Sequence, residues 1–241
     1  MVGIRRAIAL LFLGFYVTQF AMTAGLGPDE TFAFSMGLAL CYGLAFVGLA
    51  AEWFWARWFA IGVGNFGSFA LLILLQTGAE PIITFFGVTH VIIWVTLLGE
   101  GMAAKYEHSE HTAERWNFQE ESLILMRRAV KSAGTTLPFL ILYTLAPRPE
   151  ALQLTALAVG VAGLWGLLRG RTWGALALGA AGLIGLVDGL GWVGSPVMSV
   201  LPLDPSGSII LHGPFAGLGS GFLLLVPLVM AGAMVRFVRA R

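Results

Sequence analysis

The segment FFGVTHVIIWVTLLGEGMAAKYEHSEH, residues 85–111, joins a long apolar run to a charged end. The apolar part is typical of a membrane-spanning helix, because a helix needs about 20 apolar residues to cross the hydrocarbon. His90 lies inside this part, and a group of glutamates and histidines follows it. The segment predicts one long helix that leaves the bilayer near Glu100, with its glutamate–histidine end in cytoplasmic water.

The composition of the whole chain also indicates a membrane environment. Of its 241 residues, 58% are hydrophobic and only 11% are charged, whereas about a quarter of the residues in soluble domains are charged. The net charge of +1 excludes the concentrated basic face that nucleic-acid binding requires. The single cysteine, Cys41, excludes an intramolecular disulfide. We predict an all-α, polytopic transmembrane helix bundle that does not bind nucleic acid.

Eight apolar runs have the length and boundaries of membrane spans. They cover approximately residues 7–25, 31–52, 56–77, 81–103, 132–147, 150–168, 172–193 and 213–236. With both termini cytoplasmic, this count leaves only Arg148 among the 14 basic residues on the outer side, as the positive-inside rule predicts. We expect a single membrane domain in a prokaryotic inner membrane, with a cytoplasmic connector at 104–131 and an outer loop at 194–213.

The two halves of the chain share a limited similarity. Placing Trp58 on Trp173, an offset of 115, also aligns Gly48 with Gly163, Leu49 with Leu164, Ala60 with Ala175, Gly64 with Gly179 and Gly67 with Gly182. Four spans in each half would form a parallel 4+4 repeat. The alternative is a recurring arginine–tryptophan anchor at the membrane interface, which requires no duplication. The glycines also predict small helix faces on which neighbouring backbones approach closely.

Titratable side chains are scarce within the predicted spans, and a charged one costs at least about 2.5–3.5 kcal/mol in hydrocarbon. His90 lies near the midplane of the fourth span and Asp188 in the outer part of the seventh. Asn65 and Gln19 lie between the midplane and the outer third. We infer that these four side chains form a polar pocket that opens outward. The alternative is that they form interhelical hydrogen bonds, each contributing about 1 kcal/mol or less.

Two glutamates, Glu52 and Glu100, lie at the cytoplasmic ends of the second and fourth spans. At that depth a carboxylate reaches interfacial water, and Arg57 is the nearest cation along the chain. We expect Glu52 and Glu100 to serve a structural role there.

Two cofactor sites are open alternatives. Glu107, His108 and His111 have ligand types and helical spacing that suit zinc or iron, although the same residues are typical of a solvated helix with ordinary ion pairs. A haem would require His90 and His212 at similar depth, and His212 lies at the outer start of the eighth span. We expect no cofactor.

The sequence contains no glycine-rich phosphate loop, no Gly-x-Ser-x-Gly elbow and no HExxH motif. Small-residue faces, interfacial aromatics and few buried charges favour a non-enzymatic role as a structural or accessory subunit of a larger membrane protein complex. The expected partners are membrane lipid and other membrane subunits. A small-solute transporter or channel that uses the outward-opening pocket is the alternative, followed by a haem- or metal-binding redox protein.

Overall fold

The computed structural model describes residues 2–77, 80–107, 120–143, 150–169, 171–189, 221, 223–228 and 230–232. Helices make up nearly all of these residues, and no strand occurs among them. The prediction of an all-α fold is confirmed. The helices are α1 (Val2–Leu26), α2 (Phe32–Ala50), α3 (Ala56–Ser68), α4 (Ala70–Thr77), α5 (Pro81–Leu97), α6 (Glu100–Glu107), α7 (Glu120–Tyr143), α8 (Glu150–Leu168), α9 (Thr172–Gly189) and α10 (Leu223–Gly232).

Several of these helices have the length and apolar character of membrane spans. Three qualify individually, namely α1, α2 and residues Ala151–Leu168 of α8. The pair formed by α5 and α6 qualifies as a fourth, although its two parts are bent by 72°. The helices α9 and α10 are apolar but shorter. The described residues thus support a membrane protein with three to four candidate spans, fewer than the eight that the sequence predicts.

The lower count has identifiable causes at two of the predicted spans. The predicted span at residues 56–77 is divided at Phe69 into α3 and α4. The helix that covers residues 132–143 of the predicted span at 132–147 begins earlier, at Glu120, and carries charged residues in its first half; the remainder of that span lies outside the described residues. Hydropathy averaged over a window detects the apolar content of such segments but does not detect where a helix ends.

The prediction of one continuous helix past Glu100 is wrong. The helix α5 ends at Leu97, Leu98 is extended, and α6 begins in a new direction. Gly99 makes this change possible, because its φ of +94° is a conformation that side chains rarely adopt. The bend keeps residues 100–107 against the bundle, where the Tyr106 hydroxyl donates to the carbonyl oxygen of Leu49 at 3.0 Å.

The chain divides into two compact units, Met1–Thr135 and Thr136–Arg241. In the first unit α3 is the central helix, and every residue from Ala56 to Gly67 is buried except the partly buried Asn65. It packs against α2 and α5. It also crosses the middle of α7 at two glycines. A Cβ on Gly62 would lie 2.3 Å from the Lys131 carbonyl oxygen, and one on Gly134 would lie 2.5 Å from that of Phe59.

In the second unit, α8 and α9 form a closely packed hairpin. A Cβ on Gly163 would lie 2.7 Å from the backbone nitrogen of Leu178. A Cβ on Gly174 would lie 2.2 Å from that of Leu167. These glycines allow the two backbones to touch, which is the usual means of helix association where lipid supplies no hydrophobic drive.

The α2–α3 connection and the α8–α9 connection each bring a glycine close to tryptophan. A Cβ on Gly166 would lie 2.6 Å from the Trp173 ring. A Cβ on Gly48 would lie 2.8 Å from the Cβ of Ala56, 3.3 Å from the Trp53 ring and 3.6 Å from the Trp55 ring. The 4+4 repeat remains a prediction.

Candidate functional site

A buried aromatic and polar group surrounds His90 at the centre of the first unit. The ring of His90 is fully buried, and its Nδ1 lies 2.6 Å from the carbonyl oxygen of Phe86. A carbonyl can only accept, so Nδ1 carries the proton. In the neutral ring Nε2 is then an acceptor, and the Tyr42 hydroxyl donates to it at 2.6 Å. These two hydrogen bonds specify one neutral tautomer of His90.

A second hydroxyl pair lies beside this one. The Thr89 hydroxyl donates to backbone carbonyls one turn earlier, at 2.7 Å from that of Phe85. The Tyr16 hydroxyl therefore donates to the Thr89 oxygen, at 2.5 Å. The Tyr16 ring centroid also lies 4.5 Å from that of His90. We call Tyr16, Tyr42, Phe86, Thr89 and His90 the His90 cluster.

Glycines of α3 make room for this cluster. A Cβ on Gly67 would lie 2.0 Å from the His90 ring, and one on Gly64 would lie 2.9 Å from the Cβ of Trp94. Both glycines thus face α5, where the sequence predicts a small helix face. The imidazole occupies the volume that any other residue at position 67 would fill.

The predicted pocket residues lie in different surroundings. Gln19 is exposed on α1, while His90 is fully buried. Asn65 is partly buried on α3, and Asp188 is buried in α9 of the second unit. The hydrogen bond from Tyr42 to His90 is an interhelical one, of the kind that the sequence offers as the alternative. The pocket remains a prediction.

A second buried site is built on Glu107, the last residue of α6. Its side chain has no exposed surface, and it forms ion pairs with Arg57 through Oε1 and with Arg127 through Oε2. The indole nitrogen of Trp58 donates to Oε1 at 2.7 Å. The Arg127 guanidinium carbon lies 5.9 Å from the centre of the Trp58 ring. We call these four residues the Glu107 network, which joins α3, α6 and α7.

Two arginines hold the end of α5. The last carbonyls of a helix have no partner within it and carry partial negative charge. The Arg57 Nε donates to the carbonyl oxygen of Leu97 at 2.8 Å. The guanidinium of Arg5 donates to three further carbonyls, those of Val95, Thr96 and Leu98. The bend between α5 and α6 is thus stabilised by side chains from the starts of α1 and α3.

Glu52, just after α2, has an unusual backbone conformation. Its φ is +57°, a left-handed value that costs a residue with a side chain about 1–2 kcal/mol. The amide of Trp53 donates to the Gly48 carbonyl at 2.9 Å and that of Glu52 to the Leu49 carbonyl at 3.4 Å. This is a Schellman motif, in which glycine usually occupies the position of Glu52.

The ion pairs of the Glu52 carboxylate offset the strain of a side chain at this left-handed position. It forms ion pairs with Arg6 of α1 and with Lys105 of α6, the latter at 2.8 Å. The hydrogen bond from Lys105, followed by the charge of Arg6, lowers the pKa of the Glu52 carboxyl from its usual value of 4.5. The α2–α3 connection is thereby held to α1 and α6.

No protein-family model, curated protein or solved structure matches this chain. The function must therefore be inferred from the His90 cluster, the Glu107 network and the exposed surface.

One prediction about a charged residue is wrong. Arg57, the cation nearest to Glu52 along the chain, pairs with Glu107 instead. The expected environment of Glu107 was cytoplasmic water, but the bend at Gly99 brings Glu107 into the bundle. Glu100 is exposed, in agreement with its expected place at the interface. Arg57 could have indicated this pairing. A buried cation at the start of a central helix requires an acceptor that is also buried.

The cofactor alternatives fall partly outside the described residues, which do not include His108, His111 or His212. Among the residues that are described, no group of three metal-ligand side chains occurs. Both oxygens of Glu107 are engaged by arginines, and the Nε2 of His90, which a haem iron would need, accepts from Tyr42. The metal and haem sites remain open alternatives, and the expectation of no cofactor remains a prediction.

Proposed function

We propose that this protein is a structural or accessory subunit of a larger membrane protein complex. One observation carries the proposal. Within the His90 cluster, and separately within the Glu107 network, the polar side chains form hydrogen bonds or ion pairs with their neighbours inside the first unit. A transporter uses such groups to line a passage or a binding cavity. Here they fix the positions of α1, α2, α3, α5, α6 and α7.

The exposed surface supports the same proposal. Large apolar side chains are exposed along the helices of the first unit, including Leu11 and Met22 of α1, Leu40 of α2 and Ile82 of α5. In a membrane such surfaces contact lipid or another protein. The polar groups of the two sites inside this bundle are paired with one another, and its outer surface is apolar. Its function is then to bind other membrane proteins, which is the role of a subunit.

We also propose a cytoplasmic location for the charged end of the first unit, in a prokaryotic inner membrane. Basic residues from distant parts of the chain meet there through the contacts described above, namely Arg5, Arg6, Arg57, Lys105 and Arg127. An excess of arginine and lysine is typical of cytoplasmic faces. The amino terminus, which begins α1 at this end, is then cytoplasmic.

The proposal retains eight spans with both termini cytoplasmic. The pairs α3 with α4 and α5 with α6 then form broken spans, and the apolar part of α7 forms a third irregular one. We further propose a parallel 4+4 repeat with the offset of 115, which superimposes Trp58 on Trp173. A glycine near tryptophan at the end of a helix in each half, Gly48 in α2 and Gly166 in α8, supports a duplication.

A small-solute transporter is the second candidate, and one observation favours it. The helices α5 and α6 form a span bent by 72°, and broken helices are frequent at the binding sites of transporters. In that case the pocket of His90, Asn65, Gln19 and Asp188 would contain the solute. Flux into vesicles should then fall in His90→Ala and Asp188→Asn variants that remain folded.

Affinity purification tests the subunit proposal. The tagged chain is extracted from its native membrane in a mild detergent, and an unrelated polytopic protein with the same tag serves as control. We expect defined membrane proteins to co-purify in fixed ratio with this chain and not with the control. Recovery of the chain without such proteins, together with solute flux in vesicles, would favour the transporter instead.

A further inference from the structure

Two basic residues of α7, Arg128 and Lys131, are exposed on the same side of the helix at the charged end of the first unit. Their separation of three residues makes them neighbours on the helix surface. Between and beside them Met126, Ala129 and Val130 are buried. The side of α7 that faces outward at this level is therefore cationic.

Lys131 lies deeper in the bundle than the Glu107 network. Its carbonyl oxygen is at the crossing with Gly62, which is five residues beyond Arg57 in α3. Five residues of α-helix rise about 7.5 Å. A long lysine side chain allows its ammonium to extend from such a position toward the polar end of the helix.

Two of the carboxylates at this end are already engaged by other basic residues. Both oxygens of Glu107 and the carboxylate of Glu52 accept from other basic residues. Within the described ranges, neither Arg128 nor Lys131 forms an ion pair. Glu121, at the start of α7, precedes Arg128 by seven residues, or about 10 Å along the helix. The two cations thus remain available to an external anion.

We propose that Arg128 and Lys131 bind the phosphate of an anionic phospholipid. Two cationic donors one helical turn apart suit a phosphodiester group, whose two free oxygens each accept a hydrogen bond. The described residues at this end include seven cations, Arg5, Arg6, Arg57, Lys105, Arg127, Arg128 and Lys131, against five carboxylates, those of Glu52, Glu100, Glu107, Glu120 and Glu121. This excess disfavours the positively charged headgroup of a zwitterionic lipid.

Native mass spectrometry of the delipidated full chain tests this assignment. The protein is mixed with equal amounts of phosphatidylglycerol and phosphatidylcholine that have identical acyl chains. The variants are R128Q/K131Q, the charge-preserving R128K/K131R, and R169Q/R171Q as a control that removes the same charge from the α8–α9 connection. Thermal unfolding in phosphatidylcholine alone identifies any loss of stability.

We expect the wild-type protein, R128K/K131R and R169Q/R171Q to retain phosphatidylglycerol preferentially. In R128Q/K131Q the ratio of bound phosphatidylglycerol to phosphatidylcholine should fall about thirtyfold, the change expected for two cations near an anionic surface. The assignment is overturned if the wild type binds both lipids equally, if R169Q/R171Q loses the preference to the same extent, or if a protein partner is cross-linked through Lys131. If R128Q/K131Q unfolds early, loss of the preference in R128K/K131R would also overturn it.

Discussion

Glu107 and Arg57 form an ion pair in the interior of the first unit, although 50 residues separate them in the sequence. Neither side chain is exposed by more than 8%. Arg57 also donates to the end of α5, so the same guanidinium holds both helices that meet at the bend. The pair therefore stabilises the direction that α6 takes after the bend.

Removal of the Glu107 charge should strongly destabilise the first unit. In Glu107→Gln the side chain keeps its shape, but the largely buried Arg57 loses its counter-ion, a change that costs about 3–5 kcal/mol. The measurement is thermal or denaturant unfolding in detergent. Glu100→Gln, an exposed change in the same helix, is the control and should stay within about 0.5 kcal/mol of the wild type. Equal effects of the two variants would show that Glu107 is not buried.

The two buried tyrosines should differ in their importance. Tyr42→Phe leaves the Nε2 of His90 without a donor, and an unsatisfied buried acceptor costs about 1–3 kcal/mol. Tyr16→Phe removes a donor from Thr89, whose own hydroxyl still donates to the backbone, so its cost should be smaller. Unfolding free energies of the two variants provide the comparison. A larger loss in Tyr16→Phe would contradict the hydrogen bond between Tyr42 and His90.

Gly67 should not tolerate a side chain. In Gly67→Ala the new methyl group would overlap the His90 ring, and overpacking of this kind costs about 1–3 kcal/mol. Gly43, in α2, is the matched control because a Cβ there meets nothing within 4 Å. Gly43→Ala should be neutral or stabilising by up to about 1 kcal/mol. If both variants are equally stable, α3 and α5 are not in contact at His90.

Glu52 should show opposing contributions from backbone and side chain. Glu52→Gly relieves the left-handed strain, whereas Glu52→Gln keeps the strain, and both lose the ion pairs with Arg6 and Lys105. We expect Glu52→Gly to be the more stable variant by about 1 kcal/mol. Unfolding at neutral pH measures this order, and the reverse order would show that position 52 is not left-handed.

The same residue predicts a pH dependence. Because the pKa of Glu52 is lowered in the folded state, its ion pairs contribute stability above pH 4.5, its usual value, and lose it as pH falls through the folded pKa. The side chain is 45% exposed, so the contribution should remain below about 1 kcal/mol. The stability difference between wild type and Glu52→Gln should shrink on acidification, and a difference that grows would contradict the pairing.

The sequence predicts the features that depend on composition and short-range spacing. The all-α fold, the apolar helices and the glycine faces at Gly64 and Gly67 follow from patterns within one helix. The burial of His90 follows from its position in an apolar run. Each of these requires only the local sequence and the properties of the solvent.

The features that could not be predicted from the sequence depend on backbone conformation or on contacts between residues far apart in the chain. The bend is made by a single residue with positive φ, Gly99, inside an apolar run. Because the chain has 32 glycines, the presence of a glycine does not by itself indicate a bend. The Schellman motif after α2 has a glutamate where glycine is usual. The pairing of Arg57 with Glu107 requires the bend to exist first, so the sequence instead predicted a solvated Glu107.

The mass of the native particle tests the proposed function most directly. The chain should be released from its own membrane in a mild detergent and weighed by native mass spectrometry without reconstitution. As a subunit it should appear in a particle heavier than one chain of 25.7 kDa, containing other membrane proteins in fixed stoichiometry. A stable particle that contains one copy of this chain and only lipid would contradict the subunit role.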